Sequence, residues 1–99
     1  IFVQGFGNRN VALMGDQLAS KAIENNWSGI IINGCVRDIE ILRNLKIGIF
    51  AIGACPKKSL KDNKGKMGSD FDINDVRIFN GHWVYCDLNG ILLSEDNKL

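Results

Sequence analysis

The stretch that most constrains the fold runs from Gly29 to Asp38 and reads GIIINGCVRD. Three β-branched residues, Ile30 to Ile32, stand between glycines, which is the pattern of a short strand buried on both faces. The strand then leads into the adjacent charges of Arg37 and Asp38. Ligands in open α/β sheets bind beyond the carboxyl ends of the strands, so the pattern indicates a site there. An exposed ion pair without a function is the alternative reading, since such pairs contribute only about 0–1 kcal/mol.

Size and charge narrow the class of protein. The chain has 99 residues, of which 45% are hydrophobic, and this predicts one domain over residues 1–99 with a modest core. Twelve basic residues against eleven acidic ones give a formal net charge of +1. A balance this close to neutral disfavours general binding to nucleic acid or to an anionic membrane.

Targeting signals and cysteine usage both predict a cytoplasmic protein. No apolar run approaches the roughly 20 residues that cross a bilayer, and no basic region precedes the apolar start as it would in a signal peptide. Cys35, Cys55 and Cys86 are odd in number and widely spaced, and His82 is the only histidine. We interpret the cysteines as reduced structural thiols rather than as a disulfide framework or a zinc site.

The segment before the central strand predicts a strand and then a helix. An apolar start ends in a predicted tight turn at residues 5–8, and its glycines lack the third glycine of a dinucleotide-binding fingerprint. Apolar residues at helical spacing then predict a helix from about Asp16 to Asn26. Gly15 in front of Asp16 leaves the first-turn amides open, which suits a carboxylate or a phosphate. The alternative is that Asp16 only caps the helix.

The segment after the central strand continues the alternation of helices and strands. Residues 38–44 predict a short helix with Ile39 and Leu42 turned inward and Ile41 as a further candidate, and residues 47–55 predict a buried strand. The lysine-rich residues 57–66 predict a solvated loop, or a loop that helps to hold an acidic substrate. The order strand, helix, strand, helix, strand predicts an α/β fold.

The C-terminal third predicts antiparallel strands. The predicted strands are residues 75–79, 83–86 and 91–93, with turns at Asn80-Gly81 and at residues 87–90. Asn-Gly between two apolar segments is a strong signal for a two-residue hairpin. We therefore expect the first two of these strands to pair with each other.

Six short motifs follow one another along the chain. They are, in order, GDQLA from Gly15, W-x-G-I-I-I from Trp27, G-C-V-R-D from Gly34, I-G-I-x-A from Ile47, P-K-K-S from Pro56, and Y-C-D-x-x-G-I-L-L-S from Tyr85. Their combination resembles the RraA-like family, which includes the 4-hydroxy-4-methyl-2-oxoglutarate aldolases and regulator of ribonuclease activity A. The resemblance implies a three-layer β/β/α swivelling-domain fold and a ring-shaped homotrimer with its site between subunits. Members of the family also carry an N-terminal segment before the position of Ile1 that this sequence lacks, so the resemblance implies an N-terminally truncated member.

The resemblance to the aldolase branch also implies roles for particular residues. It assigns Asp38 to a divalent metal, Mg²⁺ or Mn²⁺, with Arg37 and Asp38 as the catalytic residues. It assigns substrate binding to Arg37 and to the first-turn segment, made up of Gly15, Asp16, Gln17 and Leu18. The metal would act as a Lewis acid, Arg37 would add a permanent charge beside the same oxygen, and the helix N-terminus would take the carboxylate.

One position departs from the aldolase pattern. Aldolase members carry an acidic residue three places after the aspartate, where this chain has Ile41, and Glu40 comes one place early. On a helix, one position turns a side chain by roughly 100°. The resemblance implies in turn that regulator-type members lack the aspartate that this chain keeps at Asp38.

Two functions of different classes follow from the resemblance. The first is a metal-dependent lyase that releases pyruvate from 2-keto acids of the 4-hydroxy-4-methyl-2-oxoglutarate type and decarboxylates oxaloacetate, both through a metal-stabilised pyruvate enolate. The alternative is a non-catalytic trimer that binds a ribonuclease of the ribonuclease E type or an RNA helicase. A folded remnant with neither activity is a third possibility.

Overall fold

The computed structural model describes residues 1–60 and 64–99. The chain divides into two compact units, Ile1–Asp62 and Asn63–Leu99. The single domain expected from length and composition stays a prediction. Lys61, Asp62 and Asn63, which belong to the predicted lysine-rich loop, lie outside the described residues.

The first unit has the predicted alternation of strands and helices. In chain order its elements are β1 (Phe2–Met14), α1 (Asp16–Glu24), β2 (Gly29–Val36), α2 (Ile39–Leu42) and β3 (Gly48–Ala54). The three strands form a parallel sheet in the order β1-β2-β3. The isoleucine-rich stretch from Gly29 therefore forms the central strand, with a neighbour on each side.

The strand β1 contains an irregularity where the sequence predicted a tight turn. The register jumps between Gln4 and Asn8, so the glycine segment bulges within the strand instead of ending it. Phe6 and Gly7 have positive φ angles of 54° and 68°. A β-carbon on Gly5 would lie 2.7 Å from the carbonyl oxygen of Asn33, so the chain passes too close to β2 there for a side chain. The predicted turn is wrong because β1 has 13 residues against the 8 of β2 and takes up the excess as bulges.

The core of the first unit lies between the sheet and its helices. Its buried members are Met14, Ala19, Ala22, Ile30, Ile32, Val36 and Leu42. Ile30 and Ile32 are only 3% and 2% exposed, which confirms burial on this face of the central strand, whereas Ile31 on the other face is half-buried. Burial of one such side chain contributes about 1.5–3 kcal/mol. The helix α1 buries two alanines, and side chains this small allow its axis to lie close to the sheet.

Both helices are shorter than predicted. The helix α1 ends at Glu24 instead of Asn26, because Asn26 has a φ of 64° and cannot continue a right-handed helix. The helix α2 covers only Ile39–Leu42 of the predicted residues 38–44. It buries Leu42 as predicted, whereas Ile41 is 43% exposed.

The strand β3 was predicted to be buried and is instead largely exposed. It covers Gly48–Ala54 and pairs with β2 along one side. Within residues 1–60 no strand pairs with its other side. An apolar sequence is typical of interior parallel strands, and the sequence alone does not reveal the order of strands in a sheet. The prediction failed because β3 is an edge strand of this unit.

The second unit consists of two separate antiparallel hairpins. The first pairs β4 (Phe71–Ile73) with β5 (Val76–Ile78), and the second pairs β6 (Trp83–Asp87) with β7 (Gly90–Ser94). The predicted turn at residues 87–90 is confirmed, since it joins β6 to β7. The sequence analysis did not predict β4.

The predicted Asn80-Gly81 hairpin is wrong. The segment does turn, with a φ of 95° at Gly81, but among residues 64–99 the strands before and after it do not pair with each other. The strand β5 instead pairs with β4 through Asn74 and Asp75, whose φ angles of 49° and 66° are both positive. Two positive φ angles are the requirement of a type I′ hairpin turn, and asparagine and aspartate tolerate them.

Part of the predicted solvated loop is held against β1. The Ala12 amide donates to the Lys57 carbonyl over 2.7 Å, and the Ser59 amide donates to the Ala12 carbonyl over 3.2 Å. Lys57 and Lys58 themselves are exposed. This part of the loop therefore has a defined position beside the end of β1.

Among the described residues, no helix has the length and apolar character needed to cross a membrane.

Candidate active site

The predicted site residues follow the carboxyl ends of two neighbouring strands. Met14, at the end of β1, pairs with Val36, at the end of β2. The chain leaves β1 through Gly15 into α1, and it leaves β2 through Arg37 and Asp38. The Arg37 amide donates to the Met14 carbonyl over 3.0 Å. Because parallel strands end at the same edge of the sheet, the two connections lie side by side.

Asp38 links the two connections through its carboxylate. Its Oδ2 accepts a hydrogen bond from the Asp16 amide at 3.1 Å and another from Arg37 Nη1 at 3.3 Å. Gly15 occupies the N-cap position of α1 and has no side chain that could cap the helix. The carboxylate of Asp38 therefore caps α1 from another element, where the helix dipole also favours negative charge.

The backbone of Asp38 adopts the left-handed conformation, with φ 58° and ψ 41°. Aspartate and asparagine tolerate this conformation better than most other residues that carry a side chain. The same residue starts α2, since its carbonyl accepts hydrogen bonds from the amides of Ile41 and Leu42. Its position is thus set by two helices and by Arg37.

Gly15 is the position against which the ion pair packs. A β-carbon there would lie 2.8 Å from Arg37 Cζ and 3.1 Å from Arg37 Nη1, and it would also overlap Asp38 Oδ2. The absence of a side chain thus allows the pair to approach the start of α1. The side chains of Arg37 and Asp38 are 29% and 26% exposed, so the pair is partly shielded yet reachable from solvent.

A polar cavity of about 70 Å³ opens beside the guanidinium. Gln17, Leu18 and Lys21 line it from α1, and Arg37, Lys58 and Ser59 line it from the strand ends and the anchored loop. A larger groove of about 500 Å³ lies between β3 and α2, with a mainly apolar lining that includes Ile47 and Ile49. The smaller cavity is the candidate site, because it alone of the two contains the predicted residues and several ionic groups.

The structure brings the predicted site residues together. Gly15, Gln17, Leu18 and Arg37 line the cavity, and Asp38 adjoins them through its bond to Arg37. Asp16 differs from expectation, since its amide already donates to Asp38 instead of standing open to a ligand. The catalytic, substrate-binding and metal-binding roles of these residues stay predictions.

The sequence analysis did not single out Lys21. A signal was available, because Lys21 comes four positions after Gln17, and residues four apart lie on one face of a helix. The sequence predicted that the lysine-rich loop could help to hold an acidic substrate, but it did not indicate which of its residues would do so. The structure specifies Lys58 and Ser59 as its members at the cavity.

Asp38 could serve as a ligand for one divalent cation. Within residues 1–60 and 64–99, no group of three or more histidine, cysteine, aspartate or glutamate side chains is placed to hold a metal ion. The hydrogen bonds from the Asp16 amide and from Arg37 both end on Oδ2 of Asp38, and Oδ1 takes part in neither of them. Mg²⁺ binds through one or two carboxylates and completes its shell with water and substrate oxygens, so a single oxygen ligand fits this ion.

The cysteines are free thiols and take no part in this cavity. Cys35 is buried within the first unit. In the second unit, partial burial and then the neighbouring charge of Asp87 raise the pKa of the Cys86 thiol. A raised pKa reduces the thiolate fraction at neutral pH, so Cys86 is a poor nucleophile.

The chain is an α/β protein with a parallel sheet, and its polar site lies where that sheet meets the start of α1. The site is marked by an arginine–aspartate pair that packs against a glycine. Residues 1–93 match the family described as RraA-like, Aldolase/RraA, and the chain belongs to that family. A curated relative from Photobacterium profundum, named "Putative 4-hydroxy-4-methyl-2-oxoglutarate aldolase", is 43% identical over 97 residues. The match covers 98% of this chain and 60% of the relative.

Two solved structures have the same fold. A Geobacillus kaustophilus protein titled S-adenosylmethionine: 2-dimethylmenaquinone methyltransferase is 40% identical, with a TM-score of 0.93 over 98% of this chain and 60% of its own. The RNA-processing inhibitor RraA from Thermus thermophilis is 39% identical, with a TM-score of 0.92 over 96% of this chain and 58% of its own. These matches confirm the predicted α/β fold of the RraA-like family. The chain spans about 60% of the length of the curated relatives it matches.

Proposed function

We propose that the protein is a lyase that cleaves 2-keto acids of the 4-hydroxy-4-methyl-2-oxoglutarate type to pyruvate and also decarboxylates oxaloacetate. The observation that carries the proposal is the contact of Arg37 and Asp38 with Gly15 beside a polar cavity. The aldolase name of the Photobacterium profundum relative supports the same reaction class. Both reactions break the C3–C4 bond, one carbon removed from the keto carbon C2, and leave the electron pair on C3 as a pyruvate enolate. Protonation of C3 then gives pyruvate, and the other product is a second 2-keto acid or carbon dioxide.

The proposal includes a divalent cation, Mg²⁺ or Mn²⁺, at Asp38. Oδ1 of Asp38 would be its protein ligand, with water and substrate oxygens as the others. A cation at this position supplies Lewis acidity toward the keto oxygen. The Asp16 amide and Arg37 hold Oδ2 of the same carboxylate, so the ligand oxygen has a fixed orientation.

Arg37 would stabilise the negative charge that develops on the keto oxygen. Its guanidinium is always charged and has five N–H donors, of which one points to Asp38. Within the described part of the chain this is the hydrogen bond of the guanidinium, and its other donors would bind the substrate oxygen and a carboxylate. The first-turn amides of Gln17 and Leu18 would bind the carboxylate next to the keto group, as helix N-termini bind anions.

The test separates the roles of the two charged residues. Asp38→Asn keeps a side chain that tolerates the left-handed backbone and still accepts from the Asp16 amide, while it removes the charge. We expect calorimetric Mg²⁺ binding and pyruvate release from oxaloacetate to fall together in this variant. Arg37→Lys keeps the charge and loses the planar fork, so Mg²⁺ should bind normally while turnover falls about 10²–10³-fold.

Glu40→Gln is the matched control, because Glu40 is an exposed carboxylate on α2 just after the pair. We expect it to leave both Mg²⁺ binding and turnover close to those of the parent. The proposal is wrong if Asp38→Asn binds Mg²⁺ as tightly as the parent, or if Arg37→Lys decarboxylates oxaloacetate at the parent's rate.

A second candidate function is a regulator that binds a ribonuclease of the ribonuclease E type or an RNA helicase. It is favoured by the 39% identity to a structure titled RNA-processing inhibitor RraA. This function needs no metal and no turnover. Inhibition of a purified ribonuclease by both the parent and Asp38→Asn, together with absence of pyruvate release, would favour it over the lyase.

The proposal extends to a homotrimer in the cytoplasm. Large apolar side chains lie exposed in the first unit, for example Leu18 at 46% and Trp27 at 52%, and contact with neighbouring subunits would cover them. The three free thiols fit a reducing compartment.

A further inference from the structure

We propose that Lys21 and Lys58 together bind a second carboxylate of the substrate and so select 2-keto dicarboxylic acids over monocarboxylic ones. This inference rests on the proposed function, because it concerns the same cavity. It assigns a specificity role to two residues that do not belong to the arginine–aspartate pair.

Both lysines line the cavity, and they come from different elements: Lys21 precedes Arg37 in the sequence and Lys58 follows it. Lys21 belongs to α1, one helical turn after Gln17, which also lines the cavity. Lys58 belongs to the segment after β3 that forms a parallel bridge with Ala12. The backbone hydrogen bonds of Ala12 to Lys57 and Ser59, at 2.7 and 3.2 Å, hold this segment at the cavity.

The charges around the cavity are unbalanced. Its lining includes Lys21, Arg37 and Lys58 and, in the part of the chain that the structure describes, no acidic side chain. Among residues 1–60 and 64–99, Arg37 pairs with Asp38, whereas neither lysine has a carboxylate within 4.0 Å. Two unpaired cations at one small opening produce a local positive potential that attracts an anion.

The two kinds of cation suit two different tasks. The fork of Arg37 matches the planar keto acid group in one orientation, whereas a lysine ammonium is a point charge on a flexible stem. A pair of lysines can therefore follow a distal carboxylate in substrates that differ in length or branching. The geometry thus divides the site into a reacting end at Arg37 and a recognition end at the lysines.

The experiment measures binding of two probes in the presence of Mg²⁺ by titration calorimetry. The dicarboxylate is 2-oxoglutarate and the monocarboxylate is pyruvate, and the full chain is used in each case. For Lys21→Gln and Lys58→Gln we expect Kd for 2-oxoglutarate to rise about tenfold, and for the double variant more, while Kd for pyruvate changes less than about twofold.

Lys57→Gln is the matched control, since Lys57 is exposed, adjacent to Lys58, and absent from the cavity lining. It removes the same charge from the protein and should leave both affinities unchanged. Circular dichroism of each variant verifies that the fold is retained.

Three outcomes would overturn the inference. If the lysine variants bind 2-oxoglutarate as the parent does, or lose affinity for both probes equally, the lysines do not recognise the second carboxylate. In these cases pyruvate binding by the parent leaves the proposed function intact. If the parent binds neither probe, the proposed function and this inference both fail.

Discussion

Gly15 illustrates how one missing side chain positions a functional group. Its φ of −126° and ψ of −160° are open to any residue, so glycine is not required there by backbone conformation. It is required by the ion pair, because a β-carbon would overlap Asp38 Oδ2 and lie 2.8 Å from Arg37 Cζ. The glycine thus preserves the contact between a charged pair and the start of a helix.

For Gly15→Ala we expect a folded protein with a displaced ion pair. The overlapping atoms are the ends of two side chains that can rotate away, so the loss of unfolding free energy should stay below about 1 kcal/mol. Pyruvate release should nevertheless fall at least about tenfold, because a misplaced catalytic group of this kind lowers the rate strongly. Chemical denaturation and oxaloacetate kinetics measure the two effects.

The control for this variant is Gly65→Ala, since a β-carbon at Gly65 would meet no atom of residues 1–60 or 64–99 within 4 Å. It should change neither stability nor rate. Parent-like kinetics in Gly15→Ala would contradict the requirement for close approach of the ion pair.

At the scale of the element, β2 determines both the core and the site. Its buried residues anchor α1 and α2 to the sheet, and its carboxyl end leads directly into Arg37 and Asp38. Substitution of a buried residue of β2 is therefore expected mainly to lower the free energy of unfolding. It would affect the site only by moving Arg37 and Asp38.

Ile32→Ala should destabilise the protein by about 2–5 kcal/mol, because it opens a cavity at a side chain that is only 2% exposed. The matched control is Ile52→Ala on β3, where the side chain is 38% exposed and the loss should be within about 1 kcal/mol. Urea unfolding followed by circular dichroism measures both. Equal losses in the two variants would contradict the assignment of β2 as central and β3 as edge.

At the scale of the whole molecule, the number of subunits is the property that a single chain does not determine. The buried hydrophobic residues are few, and apolar side chains such as Trp27 and Ile41 lie exposed. Patches of this kind on a small chain mark contact surfaces. The expectation from family resemblance, a trimer with its site completed by a neighbouring subunit, agrees with this exposure.

Light scattering at micromolar concentration should therefore report three times the chain mass of 11.0 kDa. If subunits complete the site, specific activity should also fall on dilution, as trimers dissociate. A stable monomer with undiminished activity would rule out a shared site.

The sequence alone was enough to predict those features that depend on residues close together in the chain. The isoleucines of β2 predicted a buried strand, helical spacing predicted α1, and the alternation predicted an α/β fold, because periodic burial is written into residue order. The order of the motifs was also enough to identify the family. The pair at Arg37 and Asp38 could be placed at a strand end for the same reason.

Only the tertiary structure decided which elements lie beside one another. The edge position of β3, the pairing of β5 with β4 instead of β6, and the capping of α1 by Asp38 all depend on contacts between distant residues. Lys21 and Lys58 are 37 positions apart in the sequence. They line one cavity because Ala12 of β1 pairs with Lys58 and holds it there. Residue order indicated the buried faces of β2 and α1, whereas the positions of charges across the site follow from how the elements pack.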